Sequence, residues 1–124
     1  MTARRLLLAV SILAGLAVGA GAQTFTPQSS SRLTVSFTTE RVGSGRLLVY
    51  GEVRNGNNAA CERVVVSVEG FDENGRVVSR GRAYVFGVVP SRGSSSFEVR
   101  MASPGSERRY RVEIESFQFV SSGN

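Results

Sequence analysis

Residues Arg63–Ser79 read RVVVSVEGFDENGRVVS. Val64, Val66 and Val68 alternate with Val65, Ser67 and Glu69, the two-residue period of a strand with one face turned inward. The run breaks at Asp72-Glu73-Asn74-Gly75, and Asn-Gly between apolar runs predicts a tight hairpin, with both residues at positive φ in a type I′ turn. The chain then returns as a strand over Arg76–Ser79. Outward from this hairpin the same alternation recurs. Leu33, Val35 and Phe37 set one face of Leu33–Thr38, and Leu47, Val49, Gly51 and Val53 set one face of Leu47–Arg54. Tyr84, Phe86 and Val88 lie on one side of Arg82–Val88, and Phe97, Val99 and Met101 on one side of Ser96–Met101. Turns are expected at Pro90-Ser91-Arg92-Gly93 and Ser103-Pro104-Gly105-Ser106. In Tyr110–Val120 the inward set Tyr110, Val112, Ile114 changes phase before Phe117 and Phe119, which predicts a β-bulge or a change of packing partner near Ser116.

Six or seven short strands with no sustained helical period outside the N-terminus predict an all-β domain over residues 33–120, an immunoglobulin-like antiparallel β-sandwich. An open barrel of the same strand count is the alternative. The sequence has one cysteine and no tryptophan, so packing alone must hold the sheets together. The 124-residue chain has room for a single core of ordinary domain size.

Residues 1–22 carry the parts of a secretory signal peptide: Arg4 and Arg5, an apolar run from Leu6 to about Val18, and the small-residue exit Ala20-Gly21-Ala22. At roughly 13 residues the run is shorter than a bilayer span. Cleavage after Ala22 would leave a flexible tether over 23–32, the domain, and a disordered tail over 121–124, exported to the periplasm or beyond with no integral membrane span. An uncleaved signal anchor is the alternative. No cysteine follows the run to support a lipoprotein route.

The order of motifs Leu47-Leu48-Val49-Tyr50-Gly51-Glu52-Val53-Arg54-Asn55, then Val64–Val78 across the hairpin, then Val89-Pro90-Ser91-Arg92-Gly93 before Ser96-Phe97-Glu98-Val99, resembles the FxLYD family of exported bacterial and archaeal domains. The resemblance runs from residue 46 to about 119. Gly70-Phe71-Asp72 stands where the family pattern has Leu-Tyr-Asp, and Ser91-Arg92-Gly93 replaces a tight Pro-Gly. It implies an extracytoplasmic β-sandwich acting as an accessory or interaction module, and it supplies no catalytic residues.

All fifteen basic residues are arginine, against ten acidic ones; without Arg4 and Arg5 the balance is thirteen to ten. With neither histidine nor lysine, a serine or cysteine nucleophile lacks its usual base. Asp72 and Glu73, neighbours on an exposed turn, point apart and are expected to keep ordinary pKa values, so no catalytic pair is assigned. Zinc and copper sites need histidines or several cysteines, and Asp72–Gly75 lacks the later bidentate glutamate of a calcium loop; no metal or cofactor is expected.

Cys61 is either a buried inert thiol or one able to pair with another chain. Arg108, Arg109 and Arg111 could contact an anion, diluted by Glu107, Glu113 and Glu115 on solvated positions; export argues against nucleic acid. Phe117 and Phe119, at the out-of-phase end of the last strand, are the candidate protein-contact surface. The resulting expectation is a non-catalytic cell-envelope interaction or structural module whose partner is another envelope or secreted protein. The alternative is a ligand- or glycan-binding domain using Tyr50, Tyr84 or Tyr110, disfavoured because two of the three tyrosines fall on inward parity. A weak arginine-mediated membrane-surface binder is the third reading.

Overall fold

The computed structural model describes residues 31–120. The expected leader, most of the tether and the tail 121–124 fall outside them. Six strands follow in order: β1 (Leu33–Arg41), β2 (Arg46–Asn55), β3 (Cys61–Phe71), β4 (Val77–Tyr84), β5 (Ser94–Ala102) and β6 (Arg109–Phe119). They form two packed three-stranded sheets, β1-β2-β5 and β4-β3-β6, antiparallel throughout, which is a sandwich and not a barrel.

Alternation decides the core. In the first sheet Val35 faces Val53 and Val49 faces Val99, while Phe37 and Phe97 flank Gly51. In the second, Val66 faces Ile114 and Val68 faces Val112. All of these except Gly51 are buried side chains of one apolar cluster. Valine dominates because a β-branched side chain packs well on a pleated surface.

The hairpin at Asp72–Arg76 lies where expected but has a different geometry. Gly75 N–H donates to Asp72 O at 3.0 Å and Asp72 N–H to Arg76 O at 3.0 Å, and Gly75 takes φ +82° while Asn74 is not among the residues at positive φ. This is a four-residue turn closed by a left-handed glycine, not type I′. Asp72 Oδ1 accepts from Asn74 N–H and Arg76 N–H at 2.9 Å each. Those two bonds satisfy the turn's amides and favour its short-range geometry over the predicted one.

The segments expected as separate strands around Gly81 are one strand, β4. A Cβ at Gly81 would come within 2.8 Å of Val99 Cγ1 and 2.9 Å of Met101 Cβ, so the glycine is where β4 closes onto β5 of the opposite sheet. Beyond Tyr84 the expected strand stops, and residues 85–89 form a strap between the sheets. Val85 N–H donates to Val64 O, Phe86 N–H to Ser96 O on β5, and Val89 exchanges two bonds with Cys61 on β3.

The expected phase slip is a pair of bulges. Val65 faces Ser116 and Val66 faces Ile114, leaving Glu115 extra on β6, while Arg63-Val64 carry an extra residue on β3. The two insertions cancel, so Cys61↔Phe119 and Val66↔Ile114 share one register. Arg63 takes φ +53° to make this fit.

Candidate functional site

The outer face of the second sheet carries most of the charge that the topology collects in one place. From β4 come Arg80, Arg82 and Tyr84; from β3, Glu69, Ser67 and Val65; from β6, Arg111, Glu113 and Glu115. Glu69 binds Arg111 at 2.8 Å and Arg80 at 3.3 Å, and Glu115 binds Arg82 at 2.7 Å. Between these pairs lies a shallow open depression floored by Ser67 and Gly81. Glu113 has no ion-pair partner there. Burial raises its carboxyl above the ordinary range, and the neighbouring Glu69 and Glu115 charges add to that against the pull of Arg111.

Of the three predicted anion-contact arginines, Arg109 and Arg111 are brought together and Arg108 stands apart. Arg108 reaches only Glu73, at 3.8 Å. Arg109 and Arg111 both stack on the Phe71 ring, each guanidinium carbon 5.1 Å from its centre, a cation–π arrangement. Arg111 is also committed to Glu69.

At the Tyr84 end of this face the surface turns apolar. Tyr84, Phe86 and Val88 are 63%, 58% and 46% exposed, while Val85 between the first two and Val89 after the third are buried. Sequence alternation places these three on one side; only the strap's crossing from β3 to β5 turns that side to solvent. Of the three tyrosines only Tyr110 is buried, so the expected inward parity of two is corrected.

Phe117 is a core residue, turned inward by the bulges, and Phe119 alone of that pair is exposed, its ring edge-on to Phe117 with centres 5.3 Å apart. Cys61 is fully buried beside it, and burial pushes its thiol up to about 11. Of the two expected forms, the structure has the buried one.

A knot of polar groups that sequence reasoning missed sits at this end. Asn55, fully buried, donates to Ala59 O at 2.9 Å and Val89 O at 3.3 Å, and its Oδ1 accepts from Asn57 N–H at 2.8 Å. Gly56 N–H and the Asn57 amide in turn hold Arg32 O and Ser31 O, so the last two residues of the expected tether are pinned. The signal available was an asparagine closing an apolar strand before Gly-Asn.

A second buried group lies at the opposite end. Glu107, expected in solvent, is 5% exposed. Its Oε2 accepts from Ser103 Oγ at 2.6 Å, Arg41 lies 3.5 Å from Oε1, and Arg41 also donates to Ser103 Oγ at 2.7 Å. Burial pushes this carboxyl up, but the Ser103 hydroxyl and the Arg41 charge outweigh it and hold it below the usual range. Ser79 Oγ faces the same carboxylate without a well-aligned bond. Asp72, also expected to be ordinary, is held low, chiefly by the Arg76 N–H.

Among the described residues no three His, Cys, Asp or Glu side chains group as a metal site. No protein-family model and no curated protein matches the chain.

Proposed function

We propose that this chain is a non-catalytic, exported interaction module of the cell envelope, docking another protein through Tyr84, Phe86 and Val88. One observation carries the reading: three large apolar side chains, Tyr84 at the end of β4 and Phe86 and Val88 on the strap, stand in solvent while Val85 and Val89 are buried. A row of that kind, bordered by the Arg82–Glu115 pair, has the apolar centre and charged rim of a recognition surface. The leader-like residues 1–22 support export, and the motif order supports the resemblance to FxLYD-type domains.

The test compares immobilised wild type with a Tyr84→Ser/Phe86→Ser variant on envelope extracts, with Phe119→Ser as a surface control. An envelope protein retained by wild type and by the control but lost from the double variant supports the reading. Equal retention by all three, or none by wild type, overturns it. Glycan binding is the second reading, favoured by the exposure of Tyr84 and Tyr50; retention of a glycan by wild type that is lost on Tyr84→Ala would support it instead.

A further inference from the structure

On the far side of the second sheet from the strap, β6 is the outer strand, and no described strand is hydrogen-bonded to its free edge. Unpaired edges are usually blunted by charged side chains, proline, a bulge or inward charge. Along Arg109–Ile114 there is no proline, bulge or inward charge, and the pairing to β3 is unbroken until the irregularity at Glu115; the edge carries only outward charges, of both signs. The inward residues Tyr110, Val112 and Ile114 are apolar and buried. The outward row reads Arg109, Arg111, Glu113, Glu115.

We propose that a second copy of the chain pairs antiparallel along β6, about a two-fold axis at Val112, joining two three-stranded sheets into one of six. In that register Arg111 of each copy faces Glu113 of the other and Arg109 faces Glu115, each pair occurring twice. Residues directly opposite on one face interact most strongly. Neighbouring registers are poorer. An axis at Arg111 or Glu113 keeps two opposite-charge pairs instead of four and sets that residue against itself, one at Tyr110 opposes Arg109 to Arg111, and one at Ile114 opposes Glu113 to Glu115.

The row's charges also lack full partners within one copy. Arg109 rests on Phe71 with no carboxylate, and Glu113 has two carboxylates near it and no ion pair. A second copy supplies both needs and closes on itself, since an isologous two-fold contact leaves no free end. The seam is small and its ion pairs exposed, so the dimer is weak and concentration-dependent.

Sedimentation equilibrium of the purified protein tests this. Wild type should show a monomer–dimer equilibrium that weakens with added salt. Glu113→Arg and Arg111→Glu should each weaken self-association by at least about tenfold, because each places like charges in both pairs. An equimolar mixture of the two variants should recover dimer, since Arg then faces Glu in both pairs. If circular dichroism finds Arg111→Glu unfolded after loss of its Glu69 contact, Glu115→Arg mixed with Arg109→Glu makes the same complementation. A monomeric wild type, variants that dimerise as wild type does, or a mixture that fails to recover dimer overturns the proposal.

Discussion

At the scale of single residues, Glu107 and Cys61 are the two buried groups with chemistry of their own. Removing the Glu107 carboxylate leaves Ser103 Oγ without its acceptor and Arg41 without its counter-charge. Glu107→Ala should therefore destabilise the domain by about 1–3 kcal/mol, read as a lowered urea midpoint, whereas Arg41→Ala, removing a partly exposed partner, should cost less. Cys61 offers a cleaner readout. With its thiol fully buried and raised to about 11, it should resist thiol reagents in native protein at neutral pH and react at the rate of unfolding, so labelling should accelerate steeply across the urea transition. A native-state rate like that of a free thiol would contradict this packing. Burial of Cys61 was one of the two readings its sequence allowed, but Glu107 did not advertise itself. Glu107 stands among Ser, Pro, Gly and Arg, a context that reads as solvated turn, and only the folding of β1 and β6 onto that turn buries it.

At the scale of elements, the strands were legible because alternation is local: Leu33, Val35 and Phe37 are inward by parity alone, and so are Phe97, Val99 and Met101. What was not legible depends on contacts between strands. Gly81 read as a break because its absent side chain matters only to Val99 and Met101 across the sandwich. Tyr84, Phe86 and Val88 read like any strand face because nothing within residues 82–88 announces the crossing to β5. The Phe117 bulge was foreseen, its consequence was not: cancelling insertions return Phe117 to the core and leave Phe119 outside. The hairpin illustrates the same limit, with its position set by Asn-Gly and its geometry by the Asp72 side chain. Since Gly75 holds φ +82°, Gly75→Val should lower stability by about 1–2 kcal/mol. Arg63→Gly, relieving φ +53° on β3, should be neutral or stabilising by under roughly 1 kcal/mol; thermal melts of the two variants should move in these different directions.

At the scale of the whole molecule, the sheets are joined by apolar packing, by the hydrogen-bonded strap 85–89 and, among the described residues, by one charged tie, Arg41 on β1 to Glu107 beside β6, with no disulfide. That tie makes global stability depend on pH. The Glu107 carboxyl is depressed in the folded state relative to an unfolded value of about 4.3. It therefore contributes stability that is fully present above that value and is lost as pH falls through the lower folded one. The urea midpoint of wild type should fall with acidification below about pH 4.3 more steeply than that of Glu107→Gln; parallel curves would assign the acid sensitivity elsewhere. The tie lies at the end of the sandwich away from Asn55, so protonating it should loosen the β5–β6 connection first while the Asn55 clamp holds.

The Asn55 clamp also bears on how the molecule ages. Both Asn55 and Asn74 precede glycine, the pairing most prone to cyclise to a succinimide and open as aspartate or isoaspartate. Cyclisation needs the glycine nitrogen to swing onto the side-chain carbonyl. At both sites that nitrogen is hydrogen-bonded, Gly56 N–H to Arg32 O at 2.8 Å and Gly75 N–H to Asp72 O at 3.0 Å; the Asn55 amide, however, is buried and locked on both its atoms, whereas the Asn74 side chain stands exposed at the hairpin tip. Prolonged incubation at mildly alkaline pH should place the deamidation mass shift on the peptide containing Asn74 and leave Asn55 intact. The older protein would then carry a new negative charge beside Asp72 and Glu73 with its interior unaltered.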